Sequence, residues 1–379
     1  MDNLAEAEKL HGFSKLRKCC EKVLQEDFDW VWIDTCCIDK TSSSELSEAI
    51  NSMFSWYHMS EVCYAYLDDV EESSTSSVEE KFRRSEWFRR GWTLQELIAP
   101  NQVVFFAEDW SEIGTRKSLV DEINDITRID RDVLLGFKLP VEFCVSQRML
   151  WASRRETTRV EDMAYCLMGL FDVHMPTIYG EGNQAFIRLQ HEVMRSTTDH
   201  SIFAWDGRGI VYDMQMDVLA PEPNVFQGFR ATPYIIRPIP FKDFARRFGM
   251  DSYSPEYTAT NHGIRIRLPI KESTLRNGEH GYTAALACYI GDQILLGLRL
   301  WRVEGTTDQY YRVGHLIEIT DLDPKSFTIK DLYLAYRSRS RALRGRLGVS
   351  IMLLPVDTPC RYSPRRLHPC RRWAVGTRE

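Results

Sequence analysis

The chain has 379 residues, of which 44% are hydrophobic and 27% charged, with a formal net charge of −6 at pH 7. Such a composition suits a globular protein of two domains, or of one domain with a large extension. The negative balance argues against a general nucleic-acid binder, which needs a basic face for the phosphate backbone, and no apolar run approaches the length of a membrane span.

The opening MDNLAEAEKL is acidic and has no apolar h-region, so no signal peptide is expected. Residues 12–25 predict a helix with Phe13, Leu16, Cys20, Val23 and Leu24 on one face. Asp29 to Asp34 is a short aromatic and β-branched run, expected to be a buried strand with Asp34 at its C-terminal end. In open α/β sheets ligands gather beyond that end, so Asp34 is either a ligand-facing carboxylate or a turn and capping residue. The vicinal Cys36-Cys37 pair follows in a loop. No basic neighbour in the sequence marks either thiol as reactive.

Ser42-x-x-Glu45 is a capping box opening a helix whose apolar stripe is Leu46, Ile50, Met53, Phe54 and Tyr57. Val62 to Leu67 predicts a second strand. Residues 71–80 form a polar, acidic loop. Trp87 to Pro100 (WFRRGWTLQELIAP) predicts one short helix, ended by Pro100. On it Glu96 is open to two readings: a solvated glutamate, or a carboxylate lining a cleft. Gln102 to Phe106 predicts a third strand. The alternation of helix and strand over residues 12–106 argues for a parallel sheet covered by helices.

Residues 115–200 turn helical, with a second capping box at Thr158-x-x-Glu161. Arg154, Arg155, Arg159, Glu161 and Asp162 read as an ion-pair network. Tyr179-Gly180-Glu181-Gly182 reads as a tight turn, since no phosphate-loop pattern accompanies it. From Ser201 the pattern is β-rich. Ser201 to Trp205 is strand-like. Ile264 to Leu268, Tyr282 to Ile290, Gln293 to Leu300 and Tyr310 to Ile319 alternate, with a hairpin turn at Gly291-Asp292. A mostly antiparallel, sandwich-like accessory domain is expected, ending in an arginine-rich tail over residues 337–379 that reads as a solvated tail. The ten cysteines show neither CxxC nor any disulfide framework. No metal site is expected, and a reducing cytoplasmic compartment is.

Three blocks resemble the fungal heterokaryon incompatibility (HET) domain family: WVWIDTCCIDK at 30–40, WFRRGWTLQELIAP at 87–100, and TTRVEDMAYCLMGLFDVHMPTIYGEGNQAF at 157–186. SELSEAINSMFSWY and the spacing between blocks match as well. The resemblance covers residues 10–205. It implies a HET domain over 1–205, with a TIR-like α/β core at about 10–110 and a helical part at about 111–205, followed by a β-rich accessory domain over 206–379. The family usually begins with a further strand bearing a motif like LSHRWG, which this chain is expected to lack.

The resemblance implies an effector of fungal non-self recognition, an innate-immunity-like role in which incompatible fusion triggers programmed cell death. Through the distant similarity to TIR domains it further implies NAD as a substrate rather than a bound cofactor. Glu96 of Trp92-Thr93-Leu94-Gln95-Glu96-Leu97 would then be the catalytic carboxylate, and Asp34 and Trp92 would bind the nucleotide. Self-association and an unidentified protein partner or non-self signal are implied as well. The alternative is a non-enzymatic, self-associating signalling module of the same pathway.

Overall fold

The computed structural model describes residues 12–71, 77–206, 215–228, 235–250, 253–274, 278, 280–291, 293–320 and 322–336. The expected arginine-rich tail and Asp292 lie outside them. The chain falls into two compact units, of which Ile50–Arg344 is the larger. Of the smaller, residues 12–49 are described.

In the smaller unit the expected helix forms at Phe13–Gln25, but it buries Cys19 and Val23, while Leu24 of the expected face is 49% exposed. The expected strand at 29–34 does not form. Ile33 is extended, with φ −135° and ψ 122°, but residues 30–33 belong to neither sheet and Trp30 is 66% exposed. Aromatic and β-branched content makes a segment suited to a sheet; only a hydrogen-bonded neighbour makes it a strand. Asp34 instead opens a four-residue helical turn, Asp34–Cys37. The capping box before the long helix Ser43–Met59 is half realised. The Ser42 hydroxyl accepts from the Glu45 N–H at 3.3 Å, but the Glu45 carboxylate reaches back to the Asp39 N–H at 2.8 Å.

In the larger unit, strands are numbered in chain order. The first sheet joins β1 (Cys63–Tyr66) to β2 (Val103–Phe106) in parallel, and β2 to β3 (Glu112–Thr115) antiparallel. β1 and β2 match the expected strands, whereas β3 lacks an apolar pattern and was not foreseen. Ala65, Val103, Phe105 and Phe106 are buried. Phe82, Phe88 and Trp87 meet Phe105 from the covering segment, with the Phe82 ring edge-on at 5.2 Å. Such aromatic pairs add about 1 kcal/mol each beyond the area they bury.

The helical region runs from Val120–Thr127 to Gln184–Ser196. The latter buries Phe186, Leu189 and Val193 on one face. The strand-like run at 201–205 is instead a 3-10 turn, His200–Phe203.

The second sheet contains β4 (Gln215–Met216), β5 (Ile236–Pro238), β6 (Tyr257–Thr260), β7 (Gly263–Thr274), β8 (His280–Ile290), β9 (Ile294–Arg302), β10 (Gln309–Val313), β11 (Ile317–Ile319) and β12 (Thr328–Leu334). The run at 310–319 is split at Gly314, whose φ of +58° turns the chain. The sheet is mostly antiparallel, as expected, but it does not form a sandwich. β7 pairs β8, β8 pairs β9, β9 pairs β10, β10 pairs β12 in parallel, and β12 returns to β7. Five strands thus close on themselves, and β4, β5, β6 and β11 each add to them through one neighbour only. Closure works because β7 is long: its residues 264–270 serve β12 and its residues 270–274 serve β8. A register shift in β8 between Ala285 and Tyr289 bends that strand. Ile264, Ile266, Leu268, Ala284, Leu286, Leu298 and Leu300 are all buried.

The helical region is tied to this barrel by buried polar groups. The Arg312 guanidinium donates to the carbonyls of Phe203 (3.0 Å) and Trp205, and lies 3.7 Å from the Trp205 ring. Burial pushes its pKa down to about 9, against the nearby Asp206. His315 Nδ1 meets the Asp206 carboxylate at 2.5 Å.

Candidate functional site

The segment from Trp87 to Pro100 is two pieces rather than one helix: a 3-10 turn, Glu86–Arg89, and an α-helix, Thr93–Ile98. They part at Gly91, whose N–H donates to the Glu156 carbonyl at 2.8 Å instead of continuing a helical ladder. The space beside Gly91 is tight. A Cβ at this position would collide with Thr157 Cγ2 and lie 3.2 Å from Cys166 Sγ. Trp87, before the break, is buried in the aromatic core. Trp92 and Glu96, after it, are both half-buried.

Beneath this helix lies Arg155. Its Nη1 donates to the Arg90 carbonyl and to Thr93 Oγ1, each at 2.8 Å, while Nη2 has no hydrogen-bond partner. Burial pushes the guanidinium pKa down to about 10, with Cys166 and Glu96 opposing the shift. The Glu96 carboxylate therefore stands within electrostatic reach of a buried cation, on the side of the helix where the chain is still half-exposed.

Beside Trp92 is a second group of side chains. The Tyr179 hydroxyl donates to the Asp162 carboxylate at 2.9 Å, and the Arg159 guanidinium lies 4.3 Å from the Tyr179 ring. Burial raises the Asp162 carboxyl above the usual range, while Tyr179, the Trp92 indole and Arg159 pull it back down. The neighbouring Glu161 Oε1 accepts from the Gly180 and Gly182 N–H groups at 2.8 and 2.9 Å. Its own backbone N–H, and then these two bonds, hold its pKa below the usual carboxylate range. Gly180 and Gly182 have φ of +101° and +59°, so the expected tight turn is present and a carboxylate caps it. Next to it, Arg188 clamps Glu181 through Nε and Nη2.

The charged cluster at 154–162 is thus not the expected ion-pair network. Glu161 is spent on backbone N–H groups, Asp162 on a phenol and an indole, and Arg155 on a carbonyl and a hydroxyl. Sequence reasoning marked the cluster but missed that Arg155, Asp162 and Tyr179 form the surroundings of Trp92 and Glu96. The density of charge in TTRVEDMAY was the signal available.

Asp34 belongs to the smaller unit. It is exposed and accepts a 3.2 Å hydrogen bond from the Thr35 hydroxyl. Among the described residues no group of three or more His, Cys, Asp or Glu could hold a metal ion, and no helix is long and apolar enough to cross a membrane.

Residues 5–86 match the family model described as heterokaryon incompatibility protein (HET), and residues 184–217 match a domain of unknown function. The first match ends short of Trp92 and Glu96. The chain is also similar to the vegetative incompatibility protein HET-E-1 of Podospora anserina, with 47% identity over 188 residues. That alignment takes in 48% of this chain and 14% of the relative. No solved structure matches. Both comparisons agree with the family resemblance of the sequence blocks: over residues 5–86 the chain matches the heterokaryon incompatibility (HET) family.

Proposed function

We propose that this chain is an effector of vegetative incompatibility, acting in the cytoplasm to trigger death of fused fungal cells through TIR-like hydrolysis of NAD. In this reading residues 1–205 form the HET domain and residues 206–379 an accessory domain that meets a partner. The observation that carries the enzymatic reading is Glu96: a half-buried carboxylate over a buried guanidinium, one turn from the indole of Trp92. Breaking the nicotinamide–ribose bond develops positive charge on the ribose, and a fixed carboxylate stabilises it. Nicotinamide leaves as a neutral group, so no strong acid is needed. Trp92 offers a ring for stacking. The assignment of Asp34 to substrate binding rests on the resemblance, and Asp34→Asn tests it separately.

Purified protein at high concentration, where self-association is favoured, is incubated with NAD and nicotinamide release is followed. Glu96→Gln, which preserves size and removes the charge, is expected to lower the rate about 100-fold or more. Unchanged release in this variant would remove Glu96 from the chemistry.

One observation favours the second reading, a non-enzymatic self-associating module. Arg155 is anchored to Thr93 and Arg90, so Glu96 also answers a buried structural cation. On that reading the intact chain releases no nicotinamide, and Glu96→Gln lowers the unfolding midpoint without altering cell death on expression.

A further inference from the structure

The helix that carries Glu96 has six residues, Thr93–Ile98, and Pro100 stops it. Proline lacks the N–H that would continue the ladder, so the last carbonyls are left without helical partners. Leu97, Ile98 and Ala99 are buried there, and a buried carbonyl needs a donor. Arg116 supplies most of them. Its Nη1 donates to the Leu97 carbonyl at 2.7 Å and to the Ile98 carbonyl at 3.4 Å, and its Nη2 to the Asn101 carbonyl at 3.0 Å. His58 Nδ1 meets the Ala99 carbonyl at 3.1 Å. Arg116 directly follows β3, and its own N–H donates to the Val103 carbonyl at 2.9 Å, where β2 begins. Its backbone thus belongs to the first sheet and its guanidinium to the end of the Glu96 helix.

We propose that Arg116 is a positioning residue for Glu96: it braces the end of the carboxylate-bearing helix against the sheet and so sets where the carboxylate stands. This rests on the reading of Glu96 as the carboxylate that serves nicotinamide–ribose cleavage.

The choice of residue agrees with that role. Arg116 is 4% exposed, and among the described residues no carboxylate forms an ion pair with it. Burying a cation away from any acid is costly, and an apolar side chain of similar volume would fill the space more cheaply. What an apolar side chain cannot do is bind three carbonyls in one fixed fork, and a cation also suits the negative end of a helix. The first carbonyl it holds belongs to Leu97, the residue next to Glu96. Arg155 fixes the other end of the helix through Arg90 and Thr93, so a helix of fewer than two turns is pinned at both ends. Precision of this kind matters at a reacting group, where a displacement of about 1 Å costs about 100-fold in rate.

The test uses the full chain with Arg116→Lys, which keeps the charge and the stem but replaces the fork by a single ammonium. The comparator is Arg312→Lys, since Arg312 is also a buried arginine spent on carbonyls, those of Phe203 and Trp205 in the barrel contact. Both are assayed at a temperature where circular dichroism shows them folded; should Arg116→Lys not fold, Arg116→Gln carries the same readings. The first reading is nicotinamide release from NAD. Arg116→Lys is expected to lower kcat about 10-fold to 100-fold with KM within about twofold of the wild type, while Arg312→Lys keeps kcat within about twofold. Equal losses of kcat in the two variants, or a loss confined to KM, overturn the positioning role. The second reading needs no turnover: hydrogen exchange, by mass spectrometry, of the peptide spanning residues 93–99. Arg116→Lys is expected to speed exchange there about tenfold more than Arg312→Lys does, and the absence of that local excess overturns the proposal. A wild type that releases no nicotinamide strikes the proposed reaction instead, and the exchange reading then decides whether Arg116 holds the helix.

Discussion

His200 makes the stability of this chain depend on pH in a window that can be calculated. It is 3% exposed, on the 3-10 turn that docks the helical region on the barrel. Its Nδ1 accepts the Ala287 N–H of β8 at 3.2 Å, so the ring must be neutral at that nitrogen. The rings of Phe241, Phe244 and Tyr257 surround it. Burial pushes its pKa down from 6.5 to about 4, with Asp199 opposing. The folded state thus binds the proton less readily than the unfolded one. The stabilisation is fully present above about pH 6.5 and is lost as pH falls toward 4. The whole displacement corresponds to about 3 kcal/mol, and the part falling between pH 7 and pH 5 is about 2 kcal/mol.

The assay is urea unfolding at pH 7, 6 and 5 for the wild type and for His200→Asn. The asparagine carbonyl can take the place of Nδ1 as acceptor for Ala287, and it does not titrate. The variant leaves a gap where the ring was, so it is less stable at pH 7 by about 1–3 kcal/mol. The diagnostic quantity is the slope. Between pH 7 and pH 5 the variant should lose about 2 kcal/mol less than the wild type. Parallel losses in the two proteins would refute the reasoning and place the proton uptake elsewhere.

Two further predictions concern the surroundings of Glu96. Gly91→Ala should cost about 1–3 kcal/mol by overpacking against Thr157 Cγ2. Thr157→Ser, which removes that methyl group and keeps the hydroxyl bonded to the Arg159 carbonyl, should recover part of the loss in denaturant melts. Glu161→Ala should cost about 2 kcal/mol by stripping the acceptor from two part-buried N–H groups. Glu161→Gln, which retains the oxygen, should cost less than half as much by the same measurement. Because the Glu161 carboxyl is held below its ordinary value, its contribution is present above its unfolded pKa and fades as pH falls through the lowered one.

Much of the fold was legible where a local pattern decides the outcome. β1 and β2 follow from short β-branched and aromatic runs, the helix Ser43–Met59 from its stripe and cap, and β7 to β9 from alternation. The failures share a cause, which is that the deciding contact lies far along the chain. Residues 30–33 have the composition of a strand, but composition cannot supply a neighbour. Barrel closure depends on β10 pairing in parallel with β12 across the intervening β11, and alternation is blind to which edges meet. At the site, Glu96 and Trp92 were named from sequence. Their neighbours Arg155, Asp162 and Tyr179 were not, because a carboxylate bound to an arginine and one bound to a phenol look alike in a one-dimensional string.

The same long-range contacts bear on how much chain the HET domain needs in order to fold. The family match ends at residue 86, yet β1, inside the match, finds its parallel neighbour β2 at 103–106, beyond it. Phe82, near the end of the match, is buried against Phe88 and Phe105. A chain cut at 86 would lose the hydrogen-bonded neighbour of β1 and expose the Phe82 ring. The helix bearing Glu96 needs still more: Gly91 is docked on Glu156, Thr93 on Arg155, and Asp162 beside Trp92 is held by Tyr179. Glu161, the next residue to Asp162, is in turn fixed by Gly180 and Gly182. The segment that positions Glu96 therefore extends at least to residue 182, so loss of activity in any shorter piece would report on assembly of this scaffold before it reported on chemistry.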